Sequence, residues 1–343
     1  MTDDVLFEKR GALGLITLNR PKALNALTRD MCVAMKAQLD RWINDDAVKA
    51  VLVRGSGDRA FCAGGDIRAL YESGKAKTGY AADFYRDEYL LNAAIKHYPK
   101  PYIALTHGIV MGGGVGVSVH GSHRVAGQTM TFAMPETGIG LFPDVGGSWF
   151  LPRCPGETGM YLALTGARLK TVDALYCGIA THFAPQDRWD ALIDRLAKGA
   201  RPDDALAGLA QSAPDTFLAE HRKTIDKCFS AGSVEAVLAA LDAEEEDWTD
   251  DAAATIRVKS PTSLKIAFRQ LREGAKRLFD ECMKMEYRLA RRIVAGHDFY
   301  EGVRAAIIDK DNRPAWRPAD LAQVSDGDID AYFSPLGEEE LKL

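Results

Sequence analysis

Cysteine is scarce and scattered, with six residues in 343, at positions 32, 62, 154, 177, 228 and 282. No CxxC pair and no Cys/His ligand spacing occurs, and so large a chain needs no staples, so a disulfide framework and a zinc site are both excluded. Reduced thiols in a cytosol or similar compartment are expected. Long apolar runs are also missing. The longest are about strand length, which leaves no segment able to span a membrane. An excess of positive charge is lacking too: 43 Lys and Arg stand against 48 Asp and Glu, a net charge of −5. Such a chain has no basic field for a phosphate backbone, so nucleic acid is not an expected partner. The start, MTDDVLFEKR, shows neither a hydrophobic core segment nor an Arg/Ser-rich amphipathic stretch, so no targeting signal is visible. A cytoplasmic protein is expected, with a matured organellar matrix protein as the other compatible reading. Nucleotide loops fail as well. Neither glycine-rich segment fits GxGxxG, and SGK at 73–75 lacks the glycine a Walker A loop needs five residues earlier. No internal repeat is visible.

What is present describes a soluble globular protein, 47% hydrophobic and 27% charged, far from disordered or fibrous compositions. LGLITLNRP alternates and then stops at proline, as a strand entering a loop does. Over LTRDMCVAMKAQLDRWIND, Met31, Met35, Leu39 and Trp42 recur at helical spacing and Thr28 is available as N-cap. The run KAVLVRG, the loop DRAFCAGGDI, a helical region through YESGKAKTG, a helix from about 81 to 98 and the run PYIALTHGIVMGGGVGVSVHG follow. HRVAGQTMTFAMPE predicts two more short strands. Strands alternating with helices argue for an α/β fold with function at the loops leaving the strands. From about Arg188 the segments become long, charged and helical in period, interrupted by SPTS and closed by NRPAWRPAD. The expected division is a core over 1–190 and a helical region over 191–343 packing on it.

Chemistry concentrates in FAMPETGIGLFPDVGG. This segment sets Glu136 and Asp144 eight residues apart among glycine, proline and apolar side chains, with no basic residue of its own to pair them. Burying such a pair uncompensated is expensive, so the segment is expected to line a cleft. Two glycine segments, FCAGGDI (61–67) and HGIVMGGGVG (107–116), let backbone N–H groups face a ligand without interference from a Cβ. Two such amides from separate loops make an oxyanion hole; tight turns and close helix packing are the alternative use of the same glycines. Glu88 is independent of both. On AADFYRDEYLLNAAIKHY, positions 84, 88, 91, 95 and 98 share one face, and they are Phe, Glu, Leu, Ile and Tyr, so a carboxylate lies within an apolar stripe. Either it snorkels to the stripe edge or pairs with Arg86 or Arg68, or it faces a substrate.

In this order NRPKALNAL, AFCAGGDIRAL, HGIVMGGGVG, FAMPETGIGLFPDVGG and ALTGARL resemble the crotonase (enoyl-CoA hydratase/isomerase) superfamily. RDEYLLN, SPTSLK and DFYEGVRAAIIDKDNRPAW extend the likeness, through its hydrolase subgroup, over nearly the whole chain. The resemblance implies a spiral of ββα units with a C-terminal helical region, an acyl-CoA thioester substrate and no metal or redox cofactor, CoA being part of the substrate. It places the two oxyanion amides on Gly65 and Gly113, a substrate contact on Glu88, and CoA contacts on Lys22, Ala23 and Leu24, although Lys22 also reads as an ordinary solvated side chain. Homo-oligomers are common in that superfamily and the oligomeric state here is left open.

One departure from that pattern decides the expected reaction. Hydratases of the superfamily resemble GGGCE where this chain has GGGVG, so Gly116 stands in place of a glutamate and half of the hydratase acid/base pair is missing. The other glutamate corresponds to Glu136. A single Glu beside an oxyanion hole, followed by Asp144, suits attack on a carbonyl carbon better than addition of water across a double bond, which needs a proton donor and an acceptor together. Glu136 would attack the thioester or activate a water. Asp144 would bond the substrate hydroxyl or the attacking group, protonate the leaving thiolate, or merely cap the turn that DVGGSW begins. The expected activity is hydrolysis of a short β-hydroxyacyl-CoA, 3-hydroxyisobutyryl-CoA of valine breakdown above others. An enoyl-CoA hydratase or isomerase, and a non-catalytic acyl-CoA-binding protein, are the rival readings. Other candidates weaken: Ser118 misses the GxSxG elbow, Cys62 has no nearby histidine and reads as a small buried thiol, and His107, His120 and His123 lack ligand spacing.

Overall fold

LGLITL and the apolar run AVLVRG form strands that are buried almost throughout, because both faces of each are covered. In the computed structural model, which describes residues 3–207 and 216–343, the chain runs through ten strands, β1 (Val5–Arg10), β2 (Leu13–Leu18), β3 (Ala50–Gly55), β4 (Ala60–Cys62), β5 (Tyr102–Thr106), β6 (Ile109–Met111), β7 (His123–Ala126), β8 (Thr131–Ala133), β9 (Leu169–Lys170) and β10 (His182–Phe183). One sheet has the order β1-β2-β3-β5-β7-β10 and the other β4-β6-β8-β9. Pairing is parallel except for the antiparallel β1–β2 hairpin and the antiparallel β8–β9 pair. Successive strands alternate between the sheets, β3 then β4, β5 then β6, β7 then β8. Helices α1 (Arg29–Ile43), α2 (Ile67–Ala76), α3 (Tyr80–Lys96) and α4 (Gly113–Gly116) follow strands of this series. That is the ββα repeat.

The residues fall into two units. The first takes Met1–Asp66, Asp87–Ala133 and Arg168–Phe217 and holds both sheets. Its core packs Leu13, Leu15, Leu52, Ile103, Leu105 and Val125 of the large sheet against Trp189, Leu192, Ile193 and Leu196 of the helix Trp189–Ala197. On the helix α1, Met31, Met35, Leu39 and Trp42 are buried, as the sequence spacing predicts, and Thr28 caps it by accepting the Met31 N–H at 3.2 Å. The indole of Trp42 lies flat on Gly14, where a Cβ would come within 2.8 Å of the ring. Each such buried aromatic or aliphatic side chain is worth about 2–5 kcal/mol against its loss to alanine.

The second unit takes Ile67–Arg86, Met134–Ala167 and Leu218–Leu343. It is helical, with α5 (Gly147–Phe150) and α6 (Thr158–Thr165) followed by longer helices, among them Asp247–Arg257, Pro261–Gly274 and Phe279–Ile293. The SPTS interruption is a helix start: Ser260 caps Pro261–Gly274 by accepting the Ser263 N–H, and Pro261 sits at the first helical position where its missing N–H costs nothing. Among the described residues no helix is long and apolar enough to cross a membrane, and all six cysteines are buried and free.

Candidate active site

In the first unit two loops bring amides together. The loop after β2 bends through Leu24 and Asn25, both left-handed at φ 52° and 56°. Asn25 makes that bend stable: its side chain is buried, accepts the Arg20 N–H at 2.9 Å and donates to the carbonyls of Ser56 and Ala60, each at 2.9 Å. The same loop, which carries Lys22, Ala23 and Leu24, is stitched to the first glycine loop. Ala63 donates to Leu24 O, Leu27 donates to Gly64 O and Asp66 donates to Leu27 O, all at 2.8–3.0 Å. Arg20 adds an ion pair to Asp66 at 3.0 Å, and these ties hold Gly65 between them.

The second glycine loop turns through Gly112, at φ 46° and ψ −123°, a conformation open to glycine, and delivers Gly113 as the first residue of α4. A first-turn N–H has no intrahelical acceptor and is available to a ligand. A Cβ placed on Gly113 would lie 3.3 Å from the Gly65 nitrogen and 2.4 Å from Oε1 of Glu88. The two amides predicted for an oxyanion hole are thus neighbours, and Glu88 borders them. Glu88 is 2% exposed, so it does not snorkel to water.

The remaining candidates of this unit behave as ordinary structure. Cys62 is pushed up to about 12 by burial, an inert thiol. Ser118 donates to the carbonyls of Gly114 and Val115 inside its own turn. His107 bonds Gly57 O, and His123 pairs with Asp203.

The second unit holds the acids. Glu136 opens a single turn of 3₁₀ helix, Glu136–Ile139, ended by Gly140 at φ 70°. It is 5% exposed and its Oε2 is buried without a hydrogen-bond partner. Burial foremost, and then the nearby Asp144, hold its carboxyl well above the ordinary range; its own backbone N–H and Lys259 act in the opposite direction. Asp144 is 3% exposed and precedes a left-handed pair, Val145 at φ 50° and Gly146 at φ 89°.

Two of the amides that follow Asp144 are held by another carboxylate. Glu286, fully buried on the helix Phe279–Ile293, accepts the Gly146 N–H at 2.7 Å, the Ser148 N–H at 2.9 Å and the Ser148 hydroxyl. Burial pushes Glu286 up to about 8, with Asp144 adding to it against those three donors.

Glu286 and Lys259 are absent from the sequence reading. Glu286 carries the same signal as Glu88, a carboxylate in an apolar stripe, here with Cys282, Leu289 and Ile293 buried on its own helix. Lys259 stands at a junction between helices and has no periodic signal.

The sequence profile of the enoyl-CoA hydratase/isomerase family matches residues 13–333. A 3-hydroxyisobutyryl-CoA hydrolase, named mitochondrial, from Danio rerio is 49% identical over 99% of this chain and 92% of its own length. That name gives no support to a cytoplasmic location. Among solved structures, a carnitinyl-CoA dehydratase from Mycobacterium thermoresistibile superimposes with a TM-score of 0.95 at 44% identity, covering 99% of both chains. An enoyl-CoA hydratase from Rhodobacter sphaeroides does so with a TM-score of 0.94 at 40% identity, covering 99% of this chain and 100% of the other. With the ββα repeat, the paired glycine amides and a profile match over nearly its full length, the chain belongs to the enoyl-CoA hydratase/isomerase family of the crotonase superfamily.

Proposed function

We propose that this protein hydrolyses 3-hydroxyisobutyryl-CoA to 3-hydroxyisobutyrate and CoA, the step that valine breakdown requires. The observation that carries this reading is the near-full-length identity to curated 3-hydroxyisobutyryl-CoA hydrolases, 49% in the Danio rerio protein. The two solved neighbours are titled as a dehydratase and a hydratase, and the titles disagree with that name. The hydrolase is preferred on chemistry. Moving water on or off a carbon–carbon double bond needs a second carboxylate where this chain has Gly116, whereas thioester hydrolysis does not. The relatives' mitochondrial naming is compatible with a matrix enzyme here.

In this reading the amides of Gly65 and Gly113 stabilise the charge that develops on the thioester oxygen; loss of one such donor costs about 100- to 1000-fold in rate. Glu136 either adds to the carbonyl carbon, giving an anhydride that water then opens, or takes a proton from the water that adds. In both routes the new carbon–oxygen bond pushes the carbonyl electron pair onto the thioester oxygen; collapse of that oxyanion breaks the carbon–sulfur bond, and the expelled thiolate takes up a proton to leave as CoA. Its raised pKa brings Glu136 toward the working pH, where a general base is most effective. Asp144 supplies the leaving-group proton or holds the substrate hydroxyl, and Glu88 contacts the acyl group. Lys22, Ala23 and Leu24 contact CoA. No metal or redox cofactor takes part.

Thiol release from 3-hydroxyisobutyryl-CoA, run beside hydration of crotonyl-CoA, tests the reading. Release of CoA with negligible hydration is expected, and the reverse pattern would replace the hydrolase with a hydratase. Binding of the ester without turnover would leave an acyl-CoA-binding protein. Glu136→Gln is expected to lower kcat by about 100-fold or more while ester binding persists, since the amide keeps the size but is neither base nor nucleophile.

A further inference from the structure

Lys259 has no business being buried unless something uses its charge. It is 8% exposed, and among the described residues its ammonium has no hydrogen-bond or ion-pair partner. A largely buried cation without a direct partner is costly unless negative charge nearby offsets it. Its position is fixed by two glycines. Nζ would lie 3.5 Å from a Cβ on Gly138, inside the Glu136 turn, and 3.4 Å from a Cβ on Gly166. Gly166 ends α6 in the left-handed conformation at φ 66°, so the ammonium faces the carbonyl end of that helix, where the partial charge is negative. The chain is tied at this point: Ser260, the next residue, donates its N–H to Thr137 O at 3.3 Å. A lysine is therefore anchored on the very turn that presents Glu136.

Resting on the hydrolase reading, we infer that Lys259 is the positioning residue for Glu136: its buried ammonium provides the charge against which that carboxylate ionises for attack on the thioester. Other charges around the turn are engaged elsewhere. The helix Asp298–Val303 packs on it through Gly302 against Ile139. There Asp298 accepts from Ser260 and the Arg317 N–H and pairs with His297, while Glu301 accepts from Arg304 and the Ala315 N–H. On the helix Pro261–Gly274, Lys265 pairs with Glu235, Arg269 with Glu273 and Asp330, Arg272 with Glu157, and Glu273 also with Arg277. Asp144, from the following loop, acts on Glu136 with the opposite sign. Burial lowers Lys259 to about 8, with Glu136 opposing the shift, so the ammonium is present at neutral pH and is lost just above it.

The test is the pH profile of kcat/KM for 3-hydroxyisobutyryl-CoA in the wild type, Lys259→Met and Lys259→Arg. The wild type is expected to show an acid limb from Glu136 and an alkaline limb near pH 8. An opposite charge close by moves a carboxyl by roughly 1–3 pKa units, so in Lys259→Met the acid limb should move up by about one unit or more and the alkaline limb should vanish. Arginine does not titrate in this range, so Lys259→Arg should keep the acid limb near its wild-type place and also lose the alkaline limb. Ester affinity should stay within about threefold in both. Lysine in a merely structural role would leave both limbs where they are, and that result overturns the inference. If neither variant folds, infrared difference spectra of the wild type decide, with the Glu136 band assigned by its absence in Glu136→Gln. A second inflection of that band near pH 8 supports the coupling, and a single-step titration rejects it. A wild type that releases no thiol at all would instead sink the hydrolase reading.

Discussion

A single methyl group separates Gly113 from a side chain that would collide with the site. A Cβ there would meet Oε1 of Glu88 at 2.4 Å, closer than atoms approach, so Gly113→Ala must push either α4 or Glu88 away. The amide proton survives but leaves its place, and kcat is expected to fall by roughly 100-fold, the lower end of what one oxyanion donor contributes. Gly113→Pro removes the proton itself and should do at least as much harm. Steady-state kinetics on folded protein check both, and a Gly113→Ala enzyme with wild-type kcat would mean that this amide does not face the thioester. Residues such as these were legible because each breaks a local rule: consecutive glycines, acids without bases, and a glutamate in an apolar stripe. Lys259 was not, since an isolated lysine between two helices breaks none.

At the scale of elements, periodicity located α1, the helix pair α2 and α3 and most strands, because their buried faces repeat at the spacing of the backbone. The three-residue strand β4, hidden in a stretch that reads as loop, was missed; so short a run has no period, and its place comes from pairing with β6. What holds the turn after Asp144 was not legible either, since two of its amides are held by Glu286 from a helix 138–140 residues further on, a distance no local pattern reports. Glu286→Gln puts an NH₂ donor against N–H groups, loosening the loop that carries Asp144. We expect kcat to drop by about 10-fold or more at nearly unchanged ester affinity. Stability offers a second readout. With its carboxyl raised from 4.5 to about 8 in the folded state, Glu286 binds more protons folded than unfolded between those values. Its contribution is then full below about pH 4.5 and lost as pH rises through 8. Thermal unfolding at pH 5 and pH 8 should show a smaller decrease in Tm for Glu286→Gln than for the wild type; equal decreases would show that Glu286 is not the group that titrates.

For the whole molecule, the frame and the reaction are separable. Solved neighbours titled as a dehydratase and a hydratase share this fold at TM-scores of 0.95 and 0.94, so the architecture does not choose between adding water to a double bond and hydrolysing a thioester. The choice rests on which carboxylates the frame carries. In the proposed reading Gly116, buried in α4, stands where the hydratase pattern has its second glutamate, and Gly116→Glu asks whether that one absence sets the chemistry. A carboxylate introduced into this buried position beside the glycine loop costs free energy unless it is paired, so it should displace substrate and water. Hydrolysis of 3-hydroxyisobutyryl-CoA is expected to fall by at least about tenfold. Hydration of crotonyl-CoA should rise only slightly, because donor and acceptor must both be held within hydrogen-bond reach of one water, an arrangement that depends on supporting residues as well as on the acid itself. Product analysis on the two substrates decides it. A Gly116→Glu enzyme that hydrolyses as fast as the parent would show that Gly116 does not border the reacting centre, and the reaction type would have to be traced to Glu136, Asp144 and their neighbours alone.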